Sequence, residues 1–141
     1  MIKNCRKFNK NLNISLKIKK ICDKLIVGVI VDEIVSAEGR NIIIPVEDIA
    51  YCYSEDKSTY AVNFAGARRL LDYSLDMVQE MLDPKLFFRI SRSYIVSINS
   101  IENISKHLGT RLKLQLNPKA DEDVVVSRSR TSDFLEWLDN N

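Results

Sequence analysis

The fold of this chain is indicated most clearly by the stretch Phe87-Phe88-Arg89-Ile90-Ser91-Arg92-Ser93-Tyr94-Ile95-Val96. Aromatic and β-branched residues stand at both of its ends, and such residues favour β-strands. Its centre, Arg89–Ser93, contains two arginines together with two serines and one isoleucine. We therefore expect strand structure here, with basic residues on a loop beside it.

Short strands are predicted on both sides of this stretch, because β-branched and aromatic residues recur there in short runs between polar turns. Residues 54–58 separate two of these runs as a hairpin turn, and Ala65-Gly66 forms a second turn. The predicted strands cover Leu25–Val31, Ile42–Ile44, Ile49–Tyr53, Thr59–Phe64, Ala67–Leu71, Ile101–Lys106, Arg111–Leu116 and Val124–Val126.

Two short helices are also predicted. Ser74 is a favourable N-cap, and an apolar stripe at helical spacing follows it until Asp83-Pro84 ends the helix. The second helix covers Thr131–Leu138, and its apolar face carries Phe134, Leu135 and Leu138. The predicted fold class is therefore mainly β, with short antiparallel strands and two short helices.

The composition is typical of one globular domain with an arm. The chain has 141 residues, of which 45% are hydrophobic and 28% charged. Its three cysteines are far apart and form no CxxC, which argues against a disulfide framework or a zinc site and favours a cytoplasmic location. The longest apolar run, Leu25–Val31, is far too short to cross a bilayer as a helix, so we expect no membrane partner.

Sequence motifs of catalysis are absent. The chain has no GxSxG, P-loop, HExxH or GxGxxG pattern. Its one histidine, His107, falls in a predicted turn, and its acidic clusters fall in turns or loops. We therefore expect no enzyme, no catalytic residue, no cofactor and no metal ion.

Positive charge is concentrated in two regions. Residues 1–24 contain eight lysines and arginines against one aspartate, and residues 85–130 contain nine against four acidic residues. Such regions permit nucleic-acid binding without requiring it. We expect residues 1–24 to form a basic arm or linker, either a solvated linker, which we favour, or an element that follows DNA phosphates.

Basic residues beside predicted strands form the most informative group. Arg89 and Arg92 flank Ser91, and Arg128 and Arg130 follow the last strand. The arginine fork can bind a phosphate or the O6 and N7 atoms of guanine, and serine leaves room for a phosphate to approach. The alternative is that these arginines form surface salt bridges, which contribute little stability. Charge alone gives the two alternatives equal weight.

Several segments in order resemble the LytTR family of DNA-binding domains, the output domains of bacterial response regulators. Residues 88–96, followed by Ile101, are similar to the family's most specific motif. The resemblance covers roughly residues 40–138. The other segments that carry it are Ile44–Tyr51 as the opening strand and turn, Tyr53–Thr59 as the first recognition loop, Ser74-Leu75 with Met81-Leu82 as the short helix, and Val126-Ser127-Arg128 before the closing helix.

The resemblance implies an elongated β fold whose loops, and not a recognition helix, reach base edges in successive major grooves. By motif position, it implies base contacts by Thr59, Arg92 and Arg128. Because the loop around Thr59 varies in length, Lys57, Ser58 or Tyr60 could take its place. The neighbouring residues expected to touch phosphates are Lys57, Arg89, Ser91 and Arg130.

The chain departs from the family pattern in three places. About 40 N-terminal residues cannot hold a receiver, which needs a full α/β domain with an acidic pocket and a phosphorylatable aspartate, so we expect a stand-alone regulator, a fragment or a divergent remnant. The region Leu25–Asn41 is longer than the usual lead-in, so we expect a domain over residues 25–141 with an extended hairpin at 25–44. Ser91 stands where the family often has histidine.

The predicted function is sequence-specific binding of double-stranded DNA that regulates transcription. The resemblance implies pairs of protomers on repeated half-sites, and a sensor or receiver of a bacterial two-component system as a further partner. The alternative is a protein-interaction module of a signalling pathway with weak or no specific DNA binding. Salt dependence separates the two, because contacts to phosphates release counterions.

Overall fold

The computed structural model describes residues 31–37 and 42–141. Ten strands and two α-helices occur within these ranges, which confirms the mainly β fold class. The predicted arm, residues 1–24, and most of the predicted strand Leu25–Val31 lie outside the described residues. The elements are β1 (Glu33–Val35), β2 (Ile43–Pro45), β3 (Ile49–Glu55), β4 (Ser58–Asn63), β5 (Arg68–Leu71), α1 (Leu75–Met81), β6 (Phe87–Arg89), β7 (Tyr94–Ser97), β8 (Ile101–Lys106), β9 (Leu112–Leu116), β10 (Val124–Val126) and α2 (Thr131–Asp139).

The described strands pair antiparallel in three sheets. The largest has the order β5-β4-β3-β7-β6, so β3 lies at its centre with β4 on one side and β7 on the other. A three-stranded sheet has the order β10-β9-β8, and β1 pairs with β2. The fold thus places the β3–β4 hairpin beside β7, the strand that begins immediately after the arginine-rich stretch.

The β3–β4 hairpin has a tighter turn than the sequence predicts. Glu55 pairs with Ser58, which leaves only Asp56 and Lys57 in the turn. Both have positive φ angles, 49° and 68°, as a two-residue type I′ turn requires. Because this turn needs only two residues, the ladder extends further than expected and Thr59 lies inside β4.

The lead-in region forms a hairpin as far as it is described. Glu33 pairs with Pro45 and Val35 with Ile43, and the Ser36 amide donates to the Ile42 carbonyl at 2.8 Å. A single bridge from Ser36 to Leu71 connects this hairpin to the edge of the large sheet. The described strands of the lead-in region thus pair antiparallel beside the edge of the large sheet.

The two helices pack against the sheets through a few large side chains. In α1 the Ser74 side chain accepts from the Met77 amide at 3.2 Å, as expected of an N-cap. In α2 the residues that are buried are Phe134 and Trp137, whereas Leu135 is exposed. Residues 134 and 137 share a face at helical spacing, and residue 135 lies about 100° around the helix from 134. The predicted apolar face of α2 was wrong for Leu135.

Two apolar clusters lie on opposite faces of the central strands. Alternation along a strand sends Tyr51 and Cys52 to different clusters, and it does the same for Ile95 and Val96. One cluster includes α1 and the lead-in hairpin, and the other includes α2 and the three-stranded sheet. Strands β3 and β7 are therefore buried on both faces, so the end of β7 that carries the arginine-rich loop is firmly anchored.

Candidate nucleic-acid interface

Three segments that carry predicted contacts meet at one end of the sheets. We call Ser91–Ser93 the central loop, Asp56–Lys57 the hairpin tip and Arg128–Arg130 the C-terminal turn. The Ser54 amide donates to the Ser93 carbonyl at 2.9 Å, which connects the base of the hairpin to the central loop. The Ser127 amide donates to the Ile90 carbonyl at 2.8 Å, which connects the residue before the C-terminal turn to the other side of the loop.

The central loop presents Arg92 to solvent. Its side chain is exposed, and no hydrogen bond or ion pair within the described residues engages its guanidinium. Ser91 is half-buried, and its hydroxyl oxygen accepts from the Ser93 amide at 3.2 Å. That hydroxyl stabilises the loop, while its own proton can still be donated to a phosphate.

The C-terminal turn presents Arg128 in a similar way. The turn is a short 3₁₀ helix over Arg128–Arg130, directly before α2. The Arg128 guanidinium is exposed and lies over Gly109, 3.5 Å from where a β-carbon there would stand. Arg130 is half-buried and donates weakly to the Arg89 carbonyl at 3.4 Å, which leaves most of its N–H groups for other partners.

Arg89 differs from the other predicted contacts. Its side chain is only 10% exposed. Its guanidinium donates to the carbonyls of Ser91 and Arg92 at 3.0 and 2.8 Å, to the Gln79 side chain at 3.1 Å, and to the Asp76 carboxylate. The predicted phosphate contact by Arg89 does not fit this geometry, because the group faces inward and its donors are already engaged.

The hairpin tip presents Lys57 but not Thr59. Thr59 is 5% exposed and pairs with Ser54 on one side and Leu71 on the other. The structure places Thr59 within β4, in agreement with the predicted strand Thr59–Phe64 and not with the loop position that the resemblance implies, and its side chain is buried. Both tip residues are exposed, Lys57 is the basic one, and the half-buried Ser58 follows it.

Comparisons with known proteins identify the family of the domain. The LytTr DNA-binding domain model matches residues 39–139. The chain belongs to the LytTr DNA-binding domain family. The transcriptional regulatory protein YpdB of Escherichia coli K12 is 32% identical over 104 residues, which are 72% of this chain and 41% of that protein, and YpdB of Shigella flexneri gives the same values. The chain thus spans about two fifths of the length of these relatives.

A solved structure extends the likeness to three dimensions. A LytTr DNA-binding domain from Bacillus cereus superposes with a TM-score of 0.67 at 27% identity, covering 76% of this chain and 96% of that domain. DNA binding is accordingly the function of this LytTr domain, and the family is not a class of enzymes. In residues 31–37 and 42–141, no helix has the length and apolar character needed to cross a membrane.

A row of tyrosines connects the LytTr domain's hairpin tip to its central loop, and sequence reasoning missed it. Tyr53 pairs with Tyr60 on β4 and with Tyr94 on β7. The ring centroids are 5.4 Å apart for the first pair and 5.6 Å for the second, and both pairs are stacked. Arg68 lies 4.5 Å over the Tyr60 ring and donates to the Tyr53 hydroxyl at 3.0 Å. Such cross-strand aromatic pairs stabilise a sheet.

The surroundings of this row contain charged groups of both signs. Burial, followed by the charge of Glu122, raises the pKa of Tyr94 to about 12. Burial, with Tyr53 and Asp121, also raises the pKa of Tyr51. A groove of about 260 Å³ lies between these rings and residues 118–122. Its charged lining residues are Glu55, Asp121 and Glu122 together with Arg68 and Lys119.

Proposed function

We propose that the chain binds double-stranded DNA sequence-specifically, with the central loop and the C-terminal turn reading base edges in the major groove. The observation that carries the proposal is the pair Arg92 and Arg128. Both guanidinium groups are exposed and lack a hydrogen-bond or ion-pair partner within the described residues, and the Ser127–Ile90 hydrogen bond connects the segments that carry them. Two unpaired forks on a rigid backbone suit bidentate recognition of guanine.

The other proposed DNA contacts are chosen by which side chains are exposed or have free donors. Lys57, Ser91 and Arg130 have N–H or O–H groups free for phosphate oxygens, and such contacts set the register of a protein on the duplex. At the hairpin tip, Ser58 replaces Thr59 as the residue next to the base edges, because Thr59 is buried. Lys57 supplies the charge at the same place.

The wider setting is also a proposal. Pairs of protomers bind two similarly oriented half-sites, and the chain regulates transcription in the cytoplasm of a bacterium as part of a two-component system. A sensor or receiver is its further partner. Support comes from membership in the LytTr family and from relatives named as transcriptional regulatory proteins.

The test begins with a selection of operator sequences from random duplexes, using the intact chain. Arg92→Ala and Arg128→Ala are each expected to weaken operator binding by roughly 10–100-fold, since a good bidentate base contact contributes about 1–3 kcal/mol. Fluorescence titration measures the affinity, and circular dichroism checks the fold. Lys85→Ala is the control, because Lys85 is exposed and precedes β6 at the end away from the central loop.

Two outcomes contradict the proposal. If the folded variants Arg92→Ala and Arg128→Ala bind the operator with normal affinity, these two residues do not make the proposed base contacts. A chain that selects no sequence, or whose binding does not weaken with salt, is instead a protein-interaction module. Duplex binding through several phosphates is expected to weaken with a logarithmic slope of about −0.9 per phosphate.

A further inference from the structure

We infer that Arg89 is a positioning residue that holds the central loop in the shape in which Arg92 reads DNA. The inference rests on the proposed function of Arg92. Arg89 acts from behind the loop, through the carbonyls of Ser91 and Arg92, and does not touch the duplex. The short helix α1 becomes part of the reading apparatus, because it supplies the other partners of the same guanidinium.

The first step of the argument is the direction of the hydrogen bonds. The Nε atom of Arg89 donates to the Ser91 carbonyl at 3.0 Å, and one Nη atom donates to the Arg92 carbonyl at 2.8 Å. The loop is a bend with no strand ladder of its own. Two charged donors therefore fix two successive peptide units in the segment that carries Arg92. Hydrogen bonds from charged donors are stronger than those between neutral groups.

The second step is the anchor on α1. The other Nη atom of Arg89 donates to the Gln79 side chain at 3.1 Å and to the Asp76 carboxylate. These residues lie one turn apart on the helix, whose buried face is packed into the core. The planar guanidinium of Arg89 thus bonds both the helix and the loop. The Asp76 carboxylate neutralises the positive charge with which Arg89 would otherwise attract a phosphate.

The third step is the side chain itself. Only arginine offers five N–H donors in one plane, which lets it bind the helix and the loop at the same time. Lysine carries the same charge on a single nitrogen at the end of a flexible stem. Arg89→Lys therefore preserves charge while it removes the geometry, and this separates positioning from phosphate binding.

The connection continues to the C-terminal turn. The backbone carbonyl of Arg89 accepts from the Arg130 guanidinium at 3.4 Å. The adjacent Ile90 carbonyl accepts from the Ser127 amide. The residue that holds the central loop is consequently in contact with both segments that carry proposed base contacts.

The experiment compares Arg89→Lys, Arg92→Ala and the double variant in the intact chain, on a selected operator and on an unrelated duplex. Arg89→Lys is expected to weaken operator binding by about 10-fold or more, because one bidentate base contact is misplaced. Binding to the unrelated duplex and the salt slope are expected to stay unchanged, since no phosphate contact is lost. The double variant is expected to bind no more weakly than Arg92→Ala, because Arg89 acts through Arg92.

A different set of results overturns the inference. If Arg89 contacts a phosphate, Arg89→Ala makes the salt slope shallower by about 0.9 and weakens binding to both duplexes. Additive losses in the double variant, or wild-type operator affinity in Arg89→Lys, also overturn it. If the chain itself prefers no sequence, the proposed function fails as well, and that result is recognised before any variant is made.

A second pair of variants guards against loss of folding. Gln79→Ala and Asp76→Ala each remove one hydrogen-bond acceptor on α1 and leave Arg89 in place. Both are expected to reduce operator binding less than Arg89→Lys does, and to shift the amide resonances of residues 91–93 in the free protein. Unchanged amide resonances in both variants contradict the connection between α1 and the loop.

Discussion

The central loop and the hairpin tip lie at the same end of the sheets but are built in opposite ways. The central loop is held by Arg89 through two carbonyls, by the Ser54 amide through Ser93, and by the Ser91 hydroxyl. The tip consists of two exposed residues, Asp56 and Lys57, in a left-handed backbone conformation above the Glu55–Ser58 pair. No side-chain hydrogen bond in the described residues involves the tip.

This difference separates two tasks in recognition. A loop that is ordered before binding loses little conformational entropy when it meets DNA, which suits a side chain that must match one base. A tip with a flexible lysine suits a phosphate, because an ammonium group is a point charge without a preferred direction. Under the proposed function, the domain thus combines a central loop held for base recognition with a tip suited to a phosphate contact.

The largest expected effect comes from Ile90→Ala, which removes the anchor of the central loop. Ile90 is fully buried, its amide donates to the Tyr94 carbonyl at 3.1 Å, and its carbonyl accepts from Ser127. Truncation is expected to lower the free energy of unfolding by about 2–5 kcal/mol, and Ile90→Val by about 0.5–1.5 kcal/mol. Urea unfolding measures both. A loss below about 1 kcal/mol for alanine shows that the loop is not anchored through the core.

A smaller effect is expected at alkaline pH, which acts on the strands below the central loop. Burial raises the pKa of the Cys52 thiol to about 12 from 9.0, and burial with Glu122 raises the pKa of Tyr94 from 10.0 to about 12. Both groups keep their protons in the folded state after the unfolded chain has lost them. Stability is therefore expected to fall from about pH 9 towards pH 12, by up to about 1.4 kcal/mol per pH unit for the buried thiol.

The control for this titration is Cys52→Ala. The variant lacks the buried thiol and is expected to lose less stability than the wild type between pH 8 and pH 10.5, although it begins from a lower value because of the cavity. Urea midpoints across this range provide the comparison. Parallel profiles in the two proteins contradict the role of Cys52.

The smallest expected effect is at the hairpin tip. Lys57 has a φ angle of 68°, which costs an L-residue about 1–2 kcal/mol, whereas glycine adopts it freely but loses more entropy on folding. Lys57→Gly is expected to stabilise the fold by about 0.5–1 kcal/mol, while the salt slope of DNA binding becomes shallower by about 0.9. Lys57→Ala is the matched control, with the same change in slope and no gain in stability. An unchanged slope in both variants removes Lys57 from the phosphate contacts.

Much of the fold follows from local sequence. The strand at Ile101–Lys106 and the cap at Ser74 are decided by residues close in the chain, so periodicity and capping predict them. The hairpin shows where this ends. A polar run from 54 to 58 predicts a five-residue turn, but two left-handed residues are sufficient, and the ladder extends to the Glu55–Ser58 pair.

The site was harder to predict because similar residues have different surroundings. Arg89 and Arg92 are three positions apart in the same motif, yet one is held inside by Asp76 and Gln79 and the other is exposed. The partners of Arg89 lie 10 and 13 residues earlier, and only the packing of α1 against β6 brings them together. The tyrosine row forms only because the register of three strands places Tyr53 between Tyr60 and Tyr94. The sequence shows only the alternation of Tyr51 and Tyr53 along one strand.

The support of the central loop has a consequence for how operator preference can change. Its backbone is fixed by groups other than the side chain at position 92, and the backbone before position 128 is fixed by the Ser127–Ile90 bond. An asparagine or glutamine at position 92 would meet the same groove from the same backbone and favour adenine over guanine. The side chains proposed to read bases are thus separate from the groups that hold their backbone, so we expect exchanges at positions 92 and 128 to change which DNA sequence the scaffold prefers.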